Sequence, residues 1–191
     1  ITKPISANAI IEKLAFAIQP DTRLTQLITL ANKHLEKGET DKALDLADQV
    51  FAIKPDSLAG HMLLGDVAVK EKRFQDARQH YMDATQSESL FIKPLQKLSE
   101  LCDLTGEHEE KLGYLKKLES LSPLNFDRKI EIGETYLELD DTLTANEYFT
   151  KASLVVKRVA GELVSESLMK IAKVLGPKDR DLALEYMDEA I

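Results

Sequence analysis

The sequence contains a single cysteine, Cys102, and no tryptophan. Without a second thiol an internal disulfide is impossible, and a lone cysteine fits a reducing compartment such as the cytoplasm. The chain also lacks any apolar run near the roughly 18 residues that a membrane-spanning helix requires, and no basic-then-apolar leader opens it. We therefore expect a cytoplasmic protein that does not enter a membrane.

Basic residues are outnumbered by acidic ones. The chain has 25 Lys and Arg against 33 Asp and Glu, a formal net charge of −8 with histidine neutral. Because proteins hold nucleic acids mainly through Lys and Arg, this balance argues against DNA or RNA as the partner. A partner that presents basic or apolar groups is expected instead.

Residue patterns that carry chemistry are missing as well. The four histidines are scattered, with no spacing that places two of them on one helical face, so no metal site is predicted. No glycine-rich phosphate loop is present. Cys102 takes an apolar helical position with no base beside it, and Asp140-Asp141 is typical of a turn followed by a helix cap. We therefore predict no catalytic residue, no cofactor and no enzyme activity.

The chain does contain an internal repeat of 34 residues. A turn position recurs at this interval without insertions, between two amphipathic runs, as Gly38, Lys72, Gly106 and Asp140. Seven residues earlier a small side chain recurs as Ala31, Gly65, Ser99 and Gly133. Nine residues after the turn the second run carries Ala47, Tyr81, Leu115 and Phe149, three of which are bulky. A small residue on one helix lets the next approach closely, and a bulky residue on the second helix fills the remaining gap.

This register resembles the tetratricopeptide repeat (TPR) family. The resemblance implies an all-α fold, a right-handed superhelix of helix pairs, with four regular units at 24–57, 58–91, 92–125 and 126–159. Lys72 and Asp140 at the turn, and Lys111 at a position that is usually small, depart from the family pattern. These departures weaken single units and leave the expected architecture in place.

Residues 160–191 are predicted to form a divergent fifth helix pair. An amphipathic stretch over 163–175 is stopped by Gly176-Pro177, and a second apolar pattern follows over 182–190. The spacing from the fourth unit is about four residues too long for the repeat, so this pair is either a modified repeat or the start of a further array. Because the chain begins with Ile1 and ends within a predicted helix, we expect a piece of a longer protein with about eleven helices here.

The first 20 residues lie outside the repeat pattern. Lys3-Pro4 precedes a predicted helix over about 7–18 that has Ile10, Ile11 and Leu14 on one face. This segment resembles the C-terminal end of a two-component receiver domain. The resemblance implies that Lys3 contacts a phosphorylated aspartate and that the peptide bond before Pro4 is cis, with the aspartate itself upstream of this chain. The alternative is a helix that caps the first repeat.

The resemblance to TPR proteins also predicts where a partner binds, because the first helices of their units line a concave face. Two positions on these helices form parallel stripes, one mainly acidic and one mainly apolar. The acidic stripe consists of Asn32, Asp66, Glu100 and Glu134, and the apolar stripe of Ile28, Met62, Gln96 and Ile130. This pair of stripes suits a protein or peptide with basic and apolar side chains. The alternative is a solvated acidic face on an acidic protein.

We therefore predict a protein-protein interaction module, the output or adaptor region of a bacterial response regulator in two-component (phosphorelay) signalling. Phosphorylation upstream would change the affinity of the repeats for a protein partner. One alternative is a constitutive TPR scaffold or co-chaperone-like adaptor with no link to phosphorylation. Another is a regulatory domain attached to an enzyme outside this chain.

Overall fold

A computed structural model describes residues 22–86 and 92–191 of the chain. Its contacts divide the chain into two compact units, Ile1–Ser89 and Leu90–Ile191, each of which is described by itself. The predicted terminal segment 1–20, including Lys3 and Pro4, lies outside the described residues.

The described part of the first unit consists of two helix pairs. Helices α1 (Thr22–Glu36) and α2 (Thr40–Ile53) form one pair, and α3 (Leu58–Lys70) and α4 (Phe74–Gln86) form the next. Ser57 caps α3, because its Oγ accepts a hydrogen bond from the backbone N–H of Gly60 at 3.1 Å.

The second unit contains three helix pairs within residues 92–191. They are α5 (Ile92–Thr105) with α6 (His108–Leu121), α7 (Phe126–Glu138) with α8 (Thr142–Val159), and α9 (Val164–Leu175) with α10 (Arg180–Glu189). Three of these helices begin with a side-chain cap in which an Asn or Asp oxygen accepts a backbone N–H. The capping residues are Asn125 for α7, Asp141 for α8 and Asp179 for α10.

The helices begin at the predicted interval. Starts of second helices at Thr40, Phe74, His108 and Thr142 are each 34 residues apart, as are those of first helices at Leu58, Ile92 and Phe126. A short 3-10 helix, Gly161–Leu163, follows the long α8, so that α9 begins at Val164 and the interval becomes 164 − 126 = 38 residues. The predicted all-α fold of packed helix pairs is confirmed.

The turn between the two helices of each regular pair needs a left-handed residue. The backbone φ angle there is positive, at Gly38 (77°), Lys72 (60°), Gly106 (73°) and Asp140 (60°). Glycine takes this conformation without strain, whereas a side chain with a Cβ does so at a cost. Among its regular helix pairs, each of the two compact units therefore has one turn with an unstrained glycine and one turn with a strained residue.

Two glycines allow the closest approach between paired helices. A Cβ added to Gly65 on α3 would lie 2.3 Å from the Tyr81 ring on α4, and one added to Gly133 on α7 would lie 2.5 Å from the Phe149 ring on α8. Both rings are fully buried. The small and bulky positions of the repeat therefore meet as expected from the packing argument.

The fifth pair shares a core with the fourth. Leu168, Ile171 and Leu175 of α9 are fully buried in one cluster with Ile130 of α7 and Phe149 of α8. None of the helices formed by residues 22–86 and 92–191 is both long and apolar enough to cross a membrane.

Candidate protein-binding surface

In the first unit the predicted binding residues lie on two neighbouring helices, α1 and α3. Ile28 and Met62 are half-buried and Asn32 is exposed. Asp66 is half-buried, and its Oδ1 accepts a hydrogen bond of 2.7 Å from the Tyr81 hydroxyl. Tyr81 thus fills the gap above Gly65 with its ring and orients an acidic group on the first helix with its hydroxyl.

In the second unit the predicted residues have unequal access to a partner. Gln96 is half-buried, and Glu100 is exposed with one carboxylate oxygen 3.4 Å from Lys97 Nζ. Glu134 is half-buried. These three residues remain candidates for contact with a partner.

Ile130 requires a correction. Its side chain is fully buried and belongs to the core that α7, α8 and the fifth helix pair share. The prediction placed Ile130 on a surface stripe because the repeat pattern alone does not show how far the divergent fifth pair covers α7. The neighbouring Glu131 is half-buried and takes its place as a surface residue of α7.

A cavity of about 100 Å³ lies on α5 and α7. Gln96, Ser99 and Glu100 contribute to it from α5, Arg128 and Glu131 from α7, and Leu115 and Leu118 from α6. Leu115 and Leu118 are buried, as are Ser99 and Arg128, so the deep part of the cavity carries both apolar and polar groups. This composition suits a side chain with an aliphatic stem and a polar end.

Burial shifts the pKa values of two glutamates on α7. It raises the pKa of Glu131 above its usual value, although the charges of Lys111 and Arg128 act in the opposite direction. Burial likewise raises the pKa of Glu134, and Lys170 and Lys111 oppose it. In both cases the loss of hydration outweighs the neighbouring cations, so each carboxylate gains from an additional positive charge.

Two of the three cations that act on these glutamates, Lys111 and Lys170, are engaged by other acids. Lys111 is buried, and its Nζ contacts the carboxylate of Asp103 and lies 3.9 Å from that of Glu138. Lys170 Nζ lies 3.0 Å from Asp127 Oδ1. Lys111 and Lys170 therefore compensate the charges of Glu131 and Glu134 only in part, and a cation from a partner would interact favourably with both glutamates.

Arg128 adds a donor to the cavity. Its side chain is buried and its Nε is a buried atom with no hydrogen-bond partner among the described residues. Buried polar atoms are nearly always paired in folded proteins. The Nε–H of Arg128, beside the cavity, could donate a hydrogen bond to a ligand oxygen such as a peptide carbonyl.

The sequence did not predict Glu131 and Arg128 as candidate binding residues. Arg128 lies two residues before Ile130, and Glu131 one residue after it. Both belong to α7, and the cavity that brings them near α5 depends on packing between units of the repeat. The presence of charged residues on both sides of Ile130 was the sequence signal that could have identified Arg128 and Glu131.

Comparisons with known proteins support the fold. No protein-family model and no curated protein sequence matches the chain. Among solved structures, PilF of Pseudomonas aeruginosa aligns with a TM-score of 0.67 and 21% identity, over 90% of this chain and 78% of PilF. MamA aligns with a TM-score of 0.63 and 17% identity, over 84% of this chain and 91% of MamA. YrrB, a TPR protein with an unusual peptide-binding site, aligns with a TM-score of 0.61 and 18% identity, over 93% of this chain and 90% of YrrB.

The chain has a TPR-like fold. At these identities the likeness extends to the arrangement of helices and carries no residue of a binding site from one protein to another. The surface chemistry must therefore be argued from this chain's own side chains.

Proposed function

We propose that this chain is a non-enzymatic protein-interaction module whose second unit binds an extended peptide segment with a basic side chain. The observation that carries this proposal is the pair of half-buried glutamates, Glu131 and Glu134, whose pKa values burial raises. A lysine or arginine placed beside them would restore the favourable interaction that the carboxylates lose on leaving water.

The cavity supports the same occupant. Among its lining residues, Leu115 and Leu118 suit the aliphatic stem of a lysine or arginine, and Glu100 and Glu131 suit the charged end. Arg128 Nε would donate to a backbone carbonyl of the segment. YrrB has a peptide-binding site on a fold of this kind, which supports a peptide as the class of ligand.

The test uses synthetic peptides in which one lysine is flanked by leucines, with glutamate replacing lysine in the control peptides. The unmodified chain is expected to bind the lysine peptides more tightly, as measured by fluorescence anisotropy. Replacing Glu131→Gln and Glu134→Gln together should weaken binding by about tenfold, equivalent to about 1.4 kcal/mol. Binding should also weaken as the pH falls, because protonation of these glutamates removes the charges that attract lysine.

A control variant separates the site from general electrostatics. Glu109 and Glu162 are exposed acids on other parts of the second unit, and their replacement by Gln changes the net charge equally. Binding by this variant should stay within about twofold of the unmodified chain, since exposed charges contribute little each. Equal weakening by both double variants would contradict a local site.

We further propose that this module is the output or adaptor region of a bacterial response regulator. The support is the sequence resemblance of residues 1–20 to the end of a receiver domain, with Lys3 and Pro4 at the matching positions. The full-length protein, incubated with acetyl phosphate and magnesium, should gain one acid-labile phosphoryl group in its intact mass. A folded protein that gains none would favour the constitutive scaffold.

A further inference from the structure

Two imidazoles and a carboxylate meet in the second helix pair of the first unit. His61 lies on α3, and His80 and Asp83 lie on α4, three residues apart and therefore on one face of that helix. One potential ligand atom from each of the three side chains lies within 4.8 Å of the other two. The spacing of histidines along the sequence does not predict this cluster, because His61 and His80 belong to different helices.

The helix pair that carries the cluster is held in place independently of it. The Tyr81 ring packs against the backbone of Gly65, where an added Cβ would lie only 2.3 Å away. The His61 ring packs edge-on against the Phe51 ring, with centroids 5.0 Å apart. Gln79 Nε2 donates a 2.8 Å hydrogen bond to Asp83 Oδ1 and so orients that carboxylate. These contacts therefore hold the His61 ring and the Asp83 carboxylate close to the positions they would take around a ligand.

Both histidines have an unsatisfied ring nitrogen. Nδ1 of His61 and Nδ1 of His80 are buried atoms with no hydrogen-bond partner among the described residues. Such atoms are rare in folded proteins, since burial without a partner costs free energy. Two such atoms in the histidines of one cluster point to a shared ligand.

We propose that His61, His80 and Asp83 form a binding site for a divalent transition-metal ion, with Zn²⁺ as the preferred occupant. Two imidazoles and one carboxylate are a donor set that zinc accepts, with water in the fourth position. Zinc–nitrogen bonds of about 2.0–2.1 Å place neighbouring ligand atoms roughly 3.3 Å apart in a tetrahedron. The side chains are all partly exposed, so small rotations bring the ligand atoms to that spacing.

Metal binding would connect α3 to α4 and stabilise the first unit. Any ligand that binds only the folded state raises its stability in proportion to the logarithm of the ligand concentration. The site is separate from the proposed peptide surface of the second unit, and its test is independent of peptide binding.

The experiment measures zinc binding to the full chain without an affinity tag, because a polyhistidine tag would itself bind the metal. Titration in competition with a chromophoric chelator should show one equivalent of Zn²⁺ bound with a micromolar or tighter Kd. His80→Ala and Asp83→Asn should each weaken binding by at least about tenfold. Co²⁺ in place of zinc should give the visible absorption bands of a tetrahedral site, and these should disappear in His80→Ala.

Two control variants locate the metal. His108→Ala removes one imidazole from the second unit and should leave zinc affinity unchanged. Cys102→Ser tests a second group of ligand-type side chains found among the described residues, Cys102, Glu107 and Glu110, and should likewise have no effect. The proposal is overturned if the unmodified chain shows no saturable binding at zinc concentrations up to 100-fold that of the protein, or if zinc binding survives His80→Ala unchanged. Loss of binding in Cys102→Ser alone would place the metal at the cysteine instead. Circular dichroism of each variant without metal establishes that it is folded.

Discussion

Both units seat a buried aromatic ring against a glycine, Tyr81 against Gly65 in the first and Phe149 against Gly133 in the second. They differ in how they place charge. The second unit buries Lys111, Arg128 and Lys129, whereas no lysine or arginine is buried among the described residues of the first. This difference shows that the repeat pattern determines how the helices pack but does not determine how much charge each compact unit buries. The proposed functions follow this difference, with recognition of a basic peptide in the second unit and a metal site in the first.

The largest expected effect tests the feature that the two units share. Gly65→Ala and Gly133→Ala should each lower the free energy of unfolding by about 1–3 kcal/mol, because the added methyl group overlaps a buried ring. Chemical denaturation followed by circular dichroism measures the loss, and hydrogen exchange assigns it to the unit that carries the substitution.

Two further variants test that explanation. Gly113 is exposed in α6 with nothing within 4 Å of an added Cβ, so Gly113→Ala should stabilise the chain by up to about 1 kcal/mol through helix propensity. Adding Tyr81→Leu to Gly65→Ala should recover part of the lost stability, since the third repeat combines Ser99 with Leu115 at these positions. If the double variant is as unstable as the sum of its single variants, steric overlap is the wrong explanation.

The next effect concerns the charge that only the second unit buries. Lys129 Nζ lies 2.6 Å from Glu119 Oε1, with side chains only 9% and 22% exposed. Lys129→Met should cost about 1–2 kcal/mol, because Glu119 then remains largely buried without its partner. The measurement is again the free energy of unfolding from denaturant titration.

The matched control lies in the first unit. Lys42 Nζ and Glu39 Oε1 are 2.9 Å apart, but their side chains are 59% and 37% exposed. Lys42→Met should therefore change stability far less than Lys129→Met does, because solvent screens the exposed pair. Equal costs for the two substitutions would remove burial as the distinction between the units.

A smaller effect is expected at the turns, where each unit has one glycine and one strained residue. Lys72 adopts a φ of 60°, so Lys72→Gly should stabilise the chain by about 0.5–1 kcal/mol by relieving strain. Asp140→Gly should stabilise less, because it also removes the 2.7 Å contact between Asp140 and Lys178 Nζ. Thermal denaturation ranks the two variants, and a loss of stability in Lys72→Gly would show that the turn is not strained.

The same separation between packing and charge explains what the sequence could predict. The spacing of Ala31, Gly65, Ser99 and Gly133 identified the helix pairs, because close packing needs a small side chain at one defined place. The same repeat spacing predicts Ile130 on a surface. The spacing does not show that the fifth helix pair packs over this part of α7 and buries Ile130. His61 and His80 were judged by their spacing along single helices, and their meeting across α3 and α4 depends on the tertiary structure.

The last prediction concerns the pH dependence of stability, to which glutamates of the two units should contribute with opposite sign. In the first unit, a hydrogen bond from Lys42 and then one with His34 lower the pKa of Glu39 to about 2. A lowered pKa stabilises the fold above the unfolded pKa of about 4.3, and this contribution disappears as the pH falls towards 2. In the second unit burial raises the pKa values of Glu131 and Glu134, so their contribution is lost as the pH rises through those values.

Substitution by Gln should therefore have opposite consequences in the two units. Glu39→Gln should reduce stability at pH 7 and make little difference at pH 2. Glu131→Gln with Glu134→Gln should increase stability at pH 7, by less than about 1 kcal/mol because both side chains retain contact with water, and should make little difference near pH 4. Denaturant titrations between pH 2 and pH 7.5 measure both profiles. If the two variants shift stability in the same direction at pH 7, burial does not govern the glutamates of α7, and the electrostatic basis for placing a basic peptide there is lost.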